Sequence, residues 1–231
     1  MDSYVTIYFR ALILCLIVVA IVGILAIFRF FALRKRREGL FKLAQRLNLN
    51  FSGGSDYGIP DRFNFLKQFE QGSNRYATNV LSGSYQQNDI LAFDYHYETY
   101  SYDKSGRHTN DHWFSFCTLT LPAVLPGLTI RRENIFTKVA EAFGYQDIKF
   151  ESAEFSKTFN VRSIDKKFAY DVCNAQMMEY LLANRDLSIE VENNVLAIVA
   201  NPRISVDKFE LNLQRLIEVR LRLPEYLFAH T

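Results

Sequence analysis

Carboxylates and a histidine alternate with aromatic rings in FDYHYETY, Phe93 to Tyr100. At a strand's period of two, Asp94, His96 and Glu98 share one face, and Phe93, Tyr95, Tyr97 and Thr99 take the other. Such a carboxylate–imidazole–carboxylate face offers the oxygen and nitrogen donors that a divalent metal takes. His108 and His112 share a face on the segment that returns after DKSG. A hairpin turning near Ser105 would set His96 opposite Phe114 or Ser115, and His108 opposite Tyr102. At ~3.3 Å per residue those histidines stand about 20 Å apart, so they do not converge. The stretch reads as a wall with one wet side. Asp94, His96 and Glu98 remain the alternative metal-ligand set; no catalytic residue and no cofactor are assigned.

Other chemistries find less. Cys15, Cys117 and Cys173 show no CxxC or CxH spacing, so neither a zinc site nor a disulfide framework is indicated. The expectation is ordinary buried thiols in a reducing compartment. No GxSxG elbow is present, and Gly53-Gly54 lacks the phosphate-binding patterns, so these glycines read as a turn. Aromatic side chains crowd the hairpin on both faces. A core cannot easily bury all of them, which points to Tyr95, Tyr97 and Trp113 as a partner contact.

The elements that carry these residues begin with an anchor. Residues 11–28 form an 18-residue run without charge or proline. As a helix it spans roughly 27 Å, close to a bilayer core. Phe30 to Leu33 extend it, giving a transmembrane helix over 11–33 behind a short extracytoplasmic tail, 1–10. A cleaved signal fits poorly, because the run is too long and its positive charge follows it. Arg34, Lys35, Arg36 and Arg37 come directly after. By the positive-inside rule they place the N-terminus outside and residues 34–231 in the cytoplasm, where these four charges meet headgroups at the membrane surface. Of 27 Lys and Arg, six lie in 1–37 against Asp2 alone. Residues 38–231 thus keep 21 basic and 24 acidic residues, a net of about −3 that argues against a nucleic-acid partner.

An amphipathic stem follows in 34–50, with Leu40, Leu43, Ala44 and Leu47 at helical spacing. FSGGSDYGIPD then breaks the helix. Strands are expected over Tyr76–Leu81, Ile90–Tyr102 and His108–Leu121, the last ended by Pro122 and Pro126. ENIFTKVAEAFG reads as a helix, and DIKFES and FSKTFNV as short strands. Ser163 or Asp165 caps a helix to about Asn184. LSIEVENNVLAIVA reads as a hairpin about Asn193-Asn194. A last helix runs from after Ser205 to about Leu223. Helices do not alternate with strands one for one, so the fold class is α+β with antiparallel sheet in a cytoplasmic domain over 51–231. One sheet, or two lobes with a break near 122–130, are both compatible with the pattern.

LPGLTIRREN, FGYQDIKFESAEFSKTFNVRS and KKFAYDVCNAQMMEYLL, together with the earlier NVLSGSYQQNDILAFDYHY, resemble a family of uncharacterised bacterial membrane-anchored proteins. The resemblance covers roughly residues 40–225. It implies a bacterial origin, a short N-terminal membrane segment and a domain of unknown function, and it carries no catalytic residues. The expected function is a single-pass inner-membrane protein acting as a non-catalytic binding or scaffold module. Its expected partners are the lipid bilayer and a protein, a second copy of the chain included. The alternative is a membrane-tethered hydrolase or metal-dependent enzyme using Asp94, His96 and Glu98.

Overall fold

The computed structural model describes residues 2–104, 106–132 and 146–229. The helix expected over 133–144 lies outside the described residues. Helix α1 (Asp2–Arg46) is unbroken over 45 residues, because no proline or helix-capping glycine interrupts the passage from apolar run to stem. Among the described residues it is the one helix long and apolar enough to cross a membrane, with a mean hydropathy of 3.0 in its apolar window and none of that window buried. Its last turns change role. Leu40, Leu43 and Ala44 are buried against the domain, as the stem's spacing predicts. Gly39 lets this part cross closely, since a Cβ there would come 3.2 Å from Val206.

The domain is α+β. Short β1 (Asn50–Ser52) and α2 (Gly58–Arg62) precede β2 (Ser73–Tyr85), β3 (Asn88–Asp103) and β4 (Gly106–Arg132). Then come β5 (Gln146–Ile148), α3 (Ala153–Thr158), β6 (Phe159–Ser163), α4 (Lys166–Val172), α5 (Ala175–Ala183), β7 (Ile189–Ala200) and α6 (Val206–Arg222). All seven strands form one sheet, and every pairing is antiparallel. Its spine is β4. β7 pairs along one edge, and the other edge carries β3 first and β6 further on.

The β3–β4 hairpin has the expected turn and nearly the expected register, with His96 opposite Trp113 and His108 opposite Ser101. Four local expectations are corrected. Pro122 and Pro126 do not end β4. They fall where the ladder to β3 has stopped and the register to β7 shifts, so their missing N–H groups break no pair there. Residues 189–200 are not a hairpin but one strand, in which Asn193 spends its positive φ of 54° on an irregularity opposite Leu125. The helix from Asp165 is two helices: Asp165 caps α4 through Phe168 N–H, and Asn174 starts α5 by accepting from Met177 N–H. FSKTFNV likewise divides between α3 and β6, with Ser152 capping α3.

Both faces of the sheet are covered. On one, Phe93, Tyr95, Tyr97, Phe114 and Phe116 pack beneath Ile59, Phe63, Leu66 and Phe69 from the segment after β1. On the other, the stem of α1 and the inner stripe of α6 (Phe209, Leu213, Leu216) join Ala92, Cys117, Leu119, Leu196 and Ile198. The face of Asp94 and His96 is therefore an interior face.

Candidate functional site

The later turns of α1 and the polar face of the hairpin build one site. Asp94 is fully buried and His96 is 2% exposed, which corrects the expectation of a wet side. Burying a carboxylate costs several kcal/mol unless it is paired and hydrogen-bonded. Here Arg36 supplies the pair: its Nε donates to Asp94 Oδ2 at 2.7 Å and its Nη2 to Oδ1 at 2.6 Å. Ser115 Oγ donates to Oδ1 at 2.9 Å and Asn79 Nδ2 to Oδ2 at 3.1 Å. Arg36 Nη1 donates to the carbonyl of Ile204 at 2.7 Å, and the guanidinium lies 5.6 Å from the Phe209 ring centre. Arg36, expected at the headgroups, is turned into the domain and ties α1 to the centre of the sheet. Nothing local announces this, because the partners are 58 residues apart.

A cleft of about 700 Å³ opens beside this pair, between α1 and the sheet. Its helix wall carries Arg29, Phe30, Leu33, Arg34, Arg37 and Glu38, and its other wall carries Tyr76, Asn79 and Trp113 of the sheet and Arg203 of the segment after β7. Arg34 is paired with Glu38 at 2.9 Å, and Arg37 donates to the carbonyl of Gly53. Among the described residues, no carboxylate pairs with Arg29, Arg37 or Arg203. The Arg203 guanidinium lies 4.6 Å from the centre of the Trp113 ring. Burial holds its pKa below the ordinary arginine value; Asp94 opposes that, and the Arg36 and Arg29 charges add to it. Trp113, His96 and Tyr76 continue as a row of rings, His96 lying 4.6 Å from Trp113 and 4.7 Å from Tyr76. Burial raises the Tyr76 hydroxyl above its usual value.

The expected metal set is redistributed. Asp94 is committed to Arg36, and His96, Glu98 and Asp111 come together instead, with ligand atoms within 4.8 Å of one another. His96 Nε2 lies 2.7 Å from Asp111 Oδ1, while Nδ1 lies 3.2 Å from the Asn74 carbonyl. Glu98 also accepts from Asn74 Nδ2 and from the Tyr100 hydroxyl at 3.1 Å. The other hairpin histidines stay apart: His112 Nε2 meets Thr99 Oγ1 at 2.8 Å, and His108 meets Asp103 at 2.9 Å.

Tyr95 and Tyr97 are 0% and 4% exposed, so a partner meets neither in this structure. Tyr95 lies 4.3 Å from Phe69, and the Tyr97 hydroxyl donates to Gln71 Oε1 at 3.0 Å. The surplus rings are absorbed by the segment after β1, whose own Phe63 and Phe69 complete the layer. Trp113, only partly buried, reaches the cleft from the opposite face. Cys117 and Cys173 are buried, and burial pushes both thiols well above their ordinary value, away from nucleophilic chemistry. Sequence reasoning missed Arg203, Asn79 and Tyr76; only their convergence on the end of α1 marks them.

No protein-family model matches this chain, and no curated relative does. Among solved structures, its fold is similar to that of the mycobacterial trehalose monomycolate transport factor A, TtfA. The superposition has a TM-score of 0.58 and covers 83% of this chain and 96% of that one, at 12% identity. The likeness is one of fold. It agrees in outline with the resemblance noted above and adds no shared site residues.

Proposed function

We propose that this chain is a single-pass, membrane-anchored, non-catalytic module that serves lipid handling at the cytoplasmic face of a bacterial inner membrane. In this reading 11–33 cross the bilayer, the N-terminus is outside, and the domain over 51–231 lies against the inner leaflet. The observation that carries it is the cleft at the root of α1. It combines three guanidinium groups, of Arg29, Arg37 and Arg203, that have no acidic partner among the described residues with aromatic and aliphatic walls, at the point where an apolar helix enters the domain. Cations and rings recognise and hold; they do not by themselves break bonds. The fold of a protein named for trehalose monomycolate transport lends support at the level of class, and the lipid of that protein is not carried over.

The reading is tested by purifying the full chain from its native membranes in mild detergent and identifying co-purified lipids and membrane proteins by mass spectrometry. Specific enrichment over an unrelated single-pass control supports the module. Recovery equal to the control overturns it. The metal-dependent enzyme remains the second reading because His96, Glu98 and Asp111 converge. Binding of Zn²⁺ by the wild type that disappears in His96→Ala, accompanied by a hydrolytic activity with the same dependence, would favour it.

A further inference from the structure

We propose that the cleft seats the headgroup of one anionic phospholipid of the adjoining leaflet, with its phosphate held by Arg29, Arg37 and Arg203 and its acyl chains lying along Phe30 and Leu33. The inference rests on the lipid-handling reading and names the ligand class for the same site.

Charge points first to an anion. The cleft is lined by four guanidinium groups and one carboxylate, Glu38, which is already paired with Arg34. The fifth arginine nearby, Arg36, is neutralised by Asp94 and adds no free charge. Guanidinium forks match phosphate oxygens in geometry as well as sign. Arg203 is held against Trp113, so its fork is positioned before any ligand arrives.

The walls then choose a lipid over a soluble anion. Phe30 and Leu33 belong to the same unbroken helix as the apolar run and are 62% and 42% exposed. Both stand at the inner boundary of the proposed span, and a soluble phosphate makes no use of their apolar surface. A phospholipid covers them with chain methylenes while its phosphate reaches the arginines, and the site needs no passage through water because it opens where the helix leaves the bilayer. A mobile basic patch would attract any acidic surface. Here one arginine is stacked, one is held by a backbone carbonyl, and the cleft has a defined volume, which favours one lipid over a diffuse cloud.

The test is native mass spectrometry of the full chain in detergent with added dioleoyl phosphatidylglycerol or dioleoyl phosphatidylcholine. The expected result is one tightly bound phosphatidylglycerol, about tenfold or more tighter than phosphatidylcholine. Arg203→Gln should lose about tenfold of that preference, while Arg215→Gln, remote from the cleft and paired with Asp186, should keep it. Circular dichroism checks that each variant is folded. If Arg203→Gln is not, Arg29→Gln, exposed on the helix, takes its place. Equal binding of both lipids, or an unchanged preference in folded variants, overturns the proposal. Competition by millimolar inorganic phosphate as strong as that by phosphatidylglycerol assigns the cleft to a soluble anion and also overturns it. Loss of this preference with continued enrichment of other lipids or membrane proteins from native membranes would sink the headgroup assignment alone and leave the lipid-handling reading standing.

Discussion

Replacing Arg36 by alanine should separate the anchor from the domain energetically without touching the apolar run. The substitution leaves the carboxylate of Asp94, which is 0% exposed, with two neutral donors, Ser115 and Asn79, and, among the described residues, no hydrogen-bonded counter-charge. It also frees the Ile204 carbonyl and the Phe209 face. Removing one partner of a buried ion pair costs about 3–5 kcal/mol. For a domain of this size that is about a 10 °C fall in Tm, taking ~2–4 °C per kcal/mol. The assay is denaturant and thermal unfolding of the full chain in one detergent, followed by circular dichroism. The double variant Arg36→Met/Asp94→Leu provides the control. With both charges gone no buried charge is stranded, so most of the loss should return, and with Arg36→Met and Asp94→Leu as the single variants the cycle should give a coupling of at least about 2 kcal/mol. A cost below about 1 kcal/mol for Arg36→Ala, or a double variant no better than the single, would refute the view that this pair holds the anchor to the sheet.

Four further outcomes follow from the same structure. Gly72 has φ +65°, and a Cβ there would stand 2.3 Å from the Glu98 carbonyl oxygen, so Gly72→Ala should cost about 2 kcal/mol or more by urea unfolding. Asn174→Ala removes the α5 cap and a 2.9 Å bond to the Arg222 carbonyl, and should cost about 1–2 kcal/mol on the same assay. Cys117 and Cys173 should resist maleimide at neutral pH in the native chain and react fully once it is unfolded. Burial tends to raise the Asp147 pKa, but the hydrogen bond and charge of Arg162 prevail and hold it below the ordinary value. The pair's contribution is therefore present above about pH 4 and lost as the pH falls through the depressed value. Tm–pH curves of wild type and Asp147→Asn should converge toward acid; parallel curves would contradict this.

Much of the fold was legible because its signals are local. The apolar run, the stem's Leu40, Leu43 and Ala44, and the period-two alternation of 90–121 each describe what a segment does with its own side chains. Asp165 shows its capping role at three-residue range. Asn193 was misjudged for the same reason. Positive φ is a local property, but whether it closes a turn or absorbs an irregularity depends on the strand opposite, and β4 supplies that strand from more than sixty residues away.

The candidate site was far less legible. Alternation alone made Asp94 and His96 a wet face, because polar residues on a strand usually face water. The reverse holds here because α1 returns its last turns to the sheet, and Arg36 delivers the hydrogen-bonded counter-charge that lets a carboxylate be buried. By itself, the sequence determined the apolar helix, the basic run after it and the antiparallel hairpin, each set by contacts within a few residues. Only the tertiary structure decided that Arg36 faces inward, that Tyr95 and Tyr97 are core, and that Arg29, Arg37 and Arg203 share a cleft. Those outcomes depend on side chains far apart in the chain, and their free energy exists only once the sheet and the helix are packed together.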